Sequence, residues 1–596
     1  MQNVFRNIFS GILALVVLFF SLQSLSLSND TDKKIDLPKV VQTPLDAIVK
    51  EMPVEINNIP FRDNKELYQN DDPGSVVFIY ITVRKGNKSE NTDSTWQEIN
   101  NSSKWFYTDN KVVQVGQAEA IVKFGDENGP VPGEVGYGEV VPNATIQIRG
   151  ASTSLEPQKS YKIELNQGAG KWRGQSTIAL NKHIFDPSRL RNKLNFDLMK
   201  QIPGMVSLRT QFVHLYVKDE TSESKDTVFV DYGLFTQVEL PNKAFLKAHL
   251  LDSNGQLYKT TFFEFGRYPD QIRLVDDPLF DENTFSSIME IKGNRDNSKL
   301  IKMLDDLNNY DIPIETTFEK YFDAENYFTW MAYNILVGNV DTSSQNFYLY
   351  SPQNSDKFYF IPWDYDDSFF RQDREACCGY FPYYSYEYGI ANYWGTTLAE
   401  RVLKTVVYRN MLDTKVLELK DFLSPERING LLNSYMGVIE KYAFVMPDVQ
   451  YFPTTKEGMR HDIELMPSEI NINYNLYLES LETSLPFFLG TPSIVDGSLS
   501  FNWDPSYDLN DQGINYHFIL AKDVLLQEII YDQELPNNLS LQTTIPEPGE
   551  YFWTVTATNS SGNIQLPFNS LWDSNNRPHS GIKRFYISDD GQVLEK

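Results

Sequence analysis

Cysteine is nearly absent from this chain. Its 596 residues include only Cys377 and Cys378, side by side. Two adjacent cysteines exclude a disulfide scaffold and leave a vicinal disulfide or a thiol pair. Histidine is scarce as well: His183, His214, His249, His461, His517 and His579 are scattered, with no zinc-type spacing. Neither a Gly-x-Ser-x-Gly elbow nor a Walker-type Gly-Lys-Ser loop occurs. Basic residues are outnumbered, 53 Lys plus Arg against 80 Asp plus Glu, for a net charge of −27. Nucleic-acid binders show a basic footprint, so this balance argues against nucleic acid as a partner. It suits a soluble, exported acidic protein.

Core material is plentiful: 41% of residues are hydrophobic and 14% aromatic, in a chain long enough for about three or four domains. At the start, Arg6 precedes the apolar run Gly11 to Phe20, and a Ser/Leu-rich stretch follows to Ser28. That order reads residues 1–28 as a secretory signal and the protein as secreted or cell-surface. No clean Ala-x-Ala site follows, so the moderately apolar Ile8 to Leu27 leave an uncleaved anchor as the alternative. That anchor is the one membrane contact expected. No cysteine follows the apolar run closely, which excludes a lipoprotein anchor at that end.

Residues 29–72 are polar, with Pro38, Pro44, Pro53 and Pro60, and read as a linker or extended arm. Strand-rich runs follow at Val76 to Val83, Ala118 to Phe124, Ala144 to Ile148 and Tyr161 to Leu165, predicting an amino-terminal lobe built on a β-sheet. Asp186-Pro187-Ser188 with Leu190, Leu194 and Leu198 signals a helix. Strands return at Phe212 to Val217 and Thr227 to Val238. A mainly helical stretch, Phe318 to Val337, precedes residue 341, and helices resume from Thr397 to Leu432 with a break near Pro425. The pattern is α+β.

Asp341-Thr-Ser-Ser-Gln-Asn346, followed by Trp363-Asp364-Tyr365-Asp366, is the densest chemical signal. Protein kinases separate a catalytic Asp from a metal-binding Asn by four residues and place a second metal-binding Asp further on. Between Asn346 and Asp364 run Phe347 to Tyr350 and Lys357 to Ile361, with polar residues or Pro from Ser351 to Asp356. This predicts a β-hairpin that would bring Asn346 and Asp364 to one Mg²⁺. Mg²⁺ prefers oxygen ligands, and Asp366 is a candidate third. Turn residues flanking two strands are the plainer alternative.

Four ordered blocks carry a family resemblance: Ile148-Arg149-Gly150-Ala151-Ser152-Thr153-Ser154 with Lys159 to Leu165; Arg189 to Leu198; Tyr232-Gly233-Leu234-Phe235 leading to Glu239; and Asp341 to Asp366. The chain resembles the CotH (spore-coat protein H) kinase family of atypical, secretory-type protein kinases over roughly residues 75 to 480. That resemblance implies a two-lobe, protein-kinase-like domain at 73–484 using ATP with Mg²⁺ or Mn²⁺ and a Ser/Thr-bearing protein substrate. It implies Asp341 as the catalytic Asp, and Asn346 and Asp364, with Asp366, at the metal. Lys162 would reach the nucleotide phosphates, Arg149 and Ser152 would belong to the phosphate loop, and Glu239 would orient Lys162 or a metal. The family's loop usually reads Arg-Gly-x-Ser-Ser; Thr153 here keeps a hydroxyl.

An aromatic-dense insert, Cys378 to Gly389, reads as a loop packing its own aromatics, with a lid or acceptor surface as the alternative. Residues 490–590 change character. Leu499 to Trp503, Ile514 to Leu520 and Gly549 to Ala557 alternate as short strands. They resemble a fibronectin type III β-sandwich, with Tyr551 in the corner position. The expectation is an exported atypical protein kinase followed by that module. The rival is a non-catalytic cell-surface, spore-coat or adhesion protein with a kinase-like fold. Paired carboxylates for glycoside hydrolysis rank lower, because the Asp-x₄-Asn spacing has no role there.

Overall fold

The computed structural model describes residues 61–103, 115–222, 228–372, 386–452, 454–573 and 577–595. The expected signal at 1–28, most of the arm at 29–72, and Cys377 with Cys378 lie outside them. Residues from Arg62 onward belong to one unit. The end of the expected arm is docked: the Asp63 side chain is fully buried and accepts hydrogen bonds from the Tyr68 hydroxyl at 2.6 Å and from His249 at 2.6 Å.

The amino-terminal strands are β1 (Val76–Arg84), β2 (Ala118–Asp126), β3 (Gly129–Pro130), β4 (Ala144–Arg149), β5 (Ser160–Leu165), β6 (Thr177–Asn181), β7 (Thr210–Asp219) and β8 (Val230–Val238). Their order is β1-β7-β8-β6-β5-β4-β2-β3. Strand β1 pairs parallel with β7 and also antiparallel with β2, so seven strands close into a ring. Ile79, Ile81, Ile146, Ile163, Leu180 and Leu215 pack inside it. Each such side chain contributes about 1.5–3 kcal/mol by leaving water. Alternation then sends Thr145, Gln147 and Arg149 of β4 to the outside.

A second sheet holds β9 (Gln256–Thr260), β10 (Met289–Ile291), β11 (Phe347–Ser351) and β12 (Tyr359–Pro362) in the order β10-β9-β11-β12. The helices include α1 (Arg191–Met199), α2 (Ala324–Val337), α3 (Val406–Phe422), α4 (Pro425–Tyr442) and α5 (Lys456–Glu482), of which α2 packs on β12. Helix α2 is capped by Asp323, which accepts from Asn326 N at 2.8 Å, and stops at Gly338 in the left-handed conformation. Pro425 sits in the first turn of α4 behind Ser424, where a missing N–H costs nothing. The break expected there is therefore a helix start.

Beyond α5, β13 (Ser493–Val495), β14 (Ser498–Asn502) and β17 (Ser540–Thr543) form one sheet. Strands β16 (Ile529–Pro536), β15 (Ile514–Ala521), β18 (Gly549–Asn559), β22 (Lys583–Ile587) and β23 (Val593–Leu594) form another, with β19 (Ile564–Gln565) on β18. The short β20 (Ser570–Trp572) and β21 (Pro578–Ser580) pair with each other. Phe501, Phe518, Trp553 and Phe585 bring both larger sheets into one core. The Tyr551 hydroxyl donates to the Glu547 carbonyl at 2.6 Å. Asn559 and Asn563 donate to the Glu482 carbonyl at the end of α5, at 2.8 and 2.9 Å, so this region caps that helix.

Helix α1 departs from an ordinary amphipathic pattern. Every residue from Arg191 to Met199 is buried, five of them polar or charged. Buried charges persist only when paired. Asp197 meets Lys193 at 3.0 Å, Lys200 at 2.6 Å and the Tyr435 hydroxyl of α4 at 2.6 Å. Burial alone would raise its carboxyl, but the two lysines and the hydroxyl outweigh burial and hold it far below the usual range. Its contribution is therefore present above about pH 4 and is lost as pH falls below that value. Asp197→Asn should cost about 3–5 kcal/mol in urea unfolding at pH 7. The gap from the parent should narrow toward pH 3; an equal gap at both pH values would contradict this pairing.

Candidate functional site

The hairpin forms as the aromatic runs predict. Phe347 of β11 faces Pro362 of β12, which leaves Asn346 and Asp364 beside one open end. Asp341 arrives from the turn after α2, in a single 3-10 turn over Val340–Thr342. That turn is pinned from several sides. Asn392 donates to the Val340 carbonyl at 3.0 Å, Thr342 and Tyr393 hydroxyls meet at 2.9 Å, and Asn339 donates to the Asp364 carbonyl at 3.4 Å. The Asn346 amide donates to Asp341 Oδ2 at 2.8 Å, and the Gln345 amide donates to the other oxygen. Asn346 and Asp364 both have positive φ, 59° and 58°. Asn and Asp are among the few side chains that tolerate this region, and held strain of this kind collects at functional sites.

Four carboxylates crowd the hairpin end: Asp341, Asp364, Asp366 and Asp367, all half-buried. Burial, with Asp367, Asp364 and Asp366 nearby, pushes Asp341 up to about 8 despite the Gln345 hydrogen bond. Burial and Asp366 push Asp364 up to about 7, against the pull of His183, Lys259 and Arg149. Asp366 also rises to about 7, through burial, Asp186 and Asp367. His183 Nδ1 is 3.7 Å from Asp366, but burial drives its pKa down to about 4, so the ring is neutral at pH 7. The cluster is a group of carboxyls.

Among the described residues, Arg149 and Lys259 border it. Arg149, at the end of β4, lies 5.8 Å from the Trp363 ring centroid; Lys259, on β9, lies 5.7 Å from the same ring. Both are within cation–π reach and both act electrostatically on Asp364. Arg149 Nη1 and His183 Nε2 are buried and have no hydrogen-bond partner among the described residues. Gly150 follows at φ 91°, and a Cβ there would come within 1.9 Å of Thr153 Oγ1, so the loop turns only because residue 150 is glycine. Ser152 lies half-exposed in the 3-10 turn Ser152–Leu155.

The structure thus brings Asp341, Asn346, Asp364, Asp366 and Arg149 together. Lys162 shares the outer barrel face with Arg149, but its ammonium sits 3.2 Å from Glu164. Glu239 is elsewhere. Its oxygens take Arg209 in a fork, with Nε at 3.0 Å, and His249 at 3.1 Å. The expected pairing of Glu239 with Lys162 or a metal is therefore replaced by a buried ion cluster. Sequence reasoning missed Lys259, on a short strand that was not read, and His183, whose only signal was its place before Asp186.

The donor set suits a hard cation. Asn346 uses its amide N–H on Asp341, which leaves Oδ1 beside Asp364 and Asp366 as oxygen donors. Among the described residues no three His, Cys, Asp or Glu side chains converge as a ready metal cage. Mg²⁺ commonly takes one or two carboxylates and completes its shell with water and phosphate, so a cage is not required.

The described fold is thus α+β, a closed β-barrel joined to a hairpin-and-helix region that holds an acidic centre. A family profile described as "CotH kinase protein" matches residues 146–475. That is more than half of the chain, and the chain belongs to this family. It is also 24% identical over 247 residues to "Inner spore coat protein H" of Bacillus subtilis (strain 168). That similarity covers 40% of this chain and 62% of the relative, so the chain spans less than two thirds of that protein's length.

The raised carboxyl groups give a sign for stability. Between about pH 4 and pH 8 the folded site keeps protons that unfolded carboxylates have lost, so stability falls as pH rises through that window. Without divalent metal, the melting temperature should drop from pH 5 to pH 8. Asp341→Asn and Asp364→Asn should each shrink that drop. Variants that keep the parent's full pH dependence would refute the electrostatic reading.

Proposed function

We propose that this protein is an exported, metal-dependent atypical protein kinase acting on Ser or Thr of secreted or surface proteins. The observation that carries the reading is the meeting of Asp341, Asn346 and Asp364 at one hairpin end, with Arg149 beside them. The barrel and the hairpin-and-helix region are read as the two lobes. The bond from the γ-phosphorus to its bridging oxygen breaks, a new bond forms to the acceptor oxygen, and the acceptor proton passes to Asp341. A base whose pKa lies near the working pH suits that transfer. Asn346 and Asp364, with Asp366, would hold Mg²⁺ or Mn²⁺, which supplies charge neutralisation on the phosphates. Arg149 and the Gly150–Ser152 loop would bind phosphate oxygens, with Lys162 a second cation on the same face.

The two packed sheets after residue 490 are proposed to be a fibronectin type III-like sandwich. Their shared core and the Tyr551 hydroxyl bond to Glu547 support this. The name of the Bacillus relative favours a spore coat as the site of action. It also sustains a second reading, a non-catalytic coat protein with a kinase-like fold. Among the described residues no helix is long and apolar enough to cross a membrane.

The test is transfer of labelled phosphate from ATP, with Mg²⁺ or Mn²⁺, to the protein itself and to a Ser-rich protein. Incorporation should fall at least about 100-fold in Asp341→Ala and in Asp364→Ala. Nucleotide binding without any transfer would favour the coat-protein reading, and no binding would remove the kinase reading.

A further inference from the structure

Lys259 and Glu290 form a pair that the sequence blocks do not contain. They face each other directly across β9 and β10, with Lys259 Nζ 3.9 Å from Glu290 Oε1. On its other side Lys259 is cross-strand from Tyr348 of β11, one residue past Phe347 and two past Asn346. The ammonium thus sits on the second sheet beside the hairpin that carries the acidic residues. Its side chain is one-third exposed, so it borders the open space rather than the core. It shares the Trp363 ring with Arg149, which comes from the barrel. Glu290 has a second partner in Lys292 at 2.6 Å, so Lys259 does not have the carboxylate to itself.

We propose that Lys259 is a phosphate-contacting residue, which with Arg149 forms a two-sided cation clamp for the polyphosphate of a nucleotide, and that Glu290 positions it. This rests on the kinase reading and deepens it by assigning the lysine and its acidic partner to the second sheet. Three observations support the assignment. Lys259 lies 5.7 Å from the ring of Trp363, the residue before Asp364, with its carboxylate partner at 3.9 Å, whereas the ammonium of Lys162 sits 3.2 Å from Glu164. Glu239 is fully engaged by Arg209 and His249, so it is not available to orient any lysine at this site. Arg149 carries a buried Nη1 without a hydrogen-bond partner among the described residues, which an anionic oxygen would satisfy. A clamp whose halves come from two sheets would also make phosphate binding depend on how those sheets approach each other.

The experiment is calorimetric binding of ATP and of inorganic tripolyphosphate, each with Mg²⁺, to the full chain and to Lys259→Ala, Lys259→Arg and Lys162→Ala. Melting temperatures are recorded for each, to separate misfolding from lost contact. Lys259→Ala should weaken both ligands by about 10–100-fold, with Lys259→Arg recovering part of the loss. Glu290→Gln should weaken tripolyphosphate less than Lys259→Ala does, and Glu290→Asp should restore part of it. Parent-like binding by a folded Lys259→Ala overturns the inference and leaves the kinase reading standing, as does a larger loss in Lys162→Ala. A parent that binds neither ATP nor tripolyphosphate overturns both.

Discussion

Arg191 has no exposed side-chain surface, and its guanidinium joins three distant parts of the chain. It meets Asp186 ahead of α1 at 2.5 Å, Asp462 of α5 at 2.9 Å through Nη1, and the Phe369 carbonyl at 3.1 and 3.2 Å. Phe369 closes the segment that carries Asp364 and Asp366. Other members of α1 hold the same segment: Asn192 accepts from Tyr365 N at 3.4 Å, and the Asn195 amide donates to Ser368 Oγ at 2.6 Å. The acidic site therefore stands on a buried ionic helix rather than on an apolar one. A buried guanidinium without its carboxylates would be far costlier than an empty methyl pocket, so the arrangement is selective about geometry.

That constraint explains how four carboxylates stay crowded. Left to electrostatics alone, Asp341, Asp364, Asp366 and Asp367 would separate. Positive φ at Asn346, Asp364 and Phe369, the amide bonds to Asp341 and the α1 contacts hold them together instead. The raised carboxyl groups are the electrostatic consequence, and a binding partner with positive charge is what such a site would favour.

Much of this was legible in the sequence. The hairpin followed from two aromatic runs around a polar turn, and the strands from Val76 and Ala144 followed from β-branched alternation. The carboxyl-terminal strands were readable for the same reason. Closure of the barrel was not, because pairing of β1 with both β2 and β7 leaves no local trace. Nor was the burial of α1, since a helix rich in Arg, Lys, Asn and Asp reads as solvated until its partners are known. Lys162 stood out because it lay within a recognisable block. Lys259 did not, since Gln256–Thr260 is short and mixed, and only its cross-strand neighbours bring it to the site. The role of Glu239 came from the family resemblance, which is silent about Arg209 and His249.

The central claim is that the hairpin end is where a divalent cation and a nucleotide polyphosphate meet. A crystal structure of the protein with Mn²⁺ and a non-hydrolysable ATP analogue, read by anomalous scattering, tests it most directly. The account predicts a manganese peak at roughly 2.1 Å from oxygens of Asp364 and Asn346, with phosphates between the metal and Arg149. Nucleotide bound elsewhere, or bound with no metal at Asp364, would contradict it.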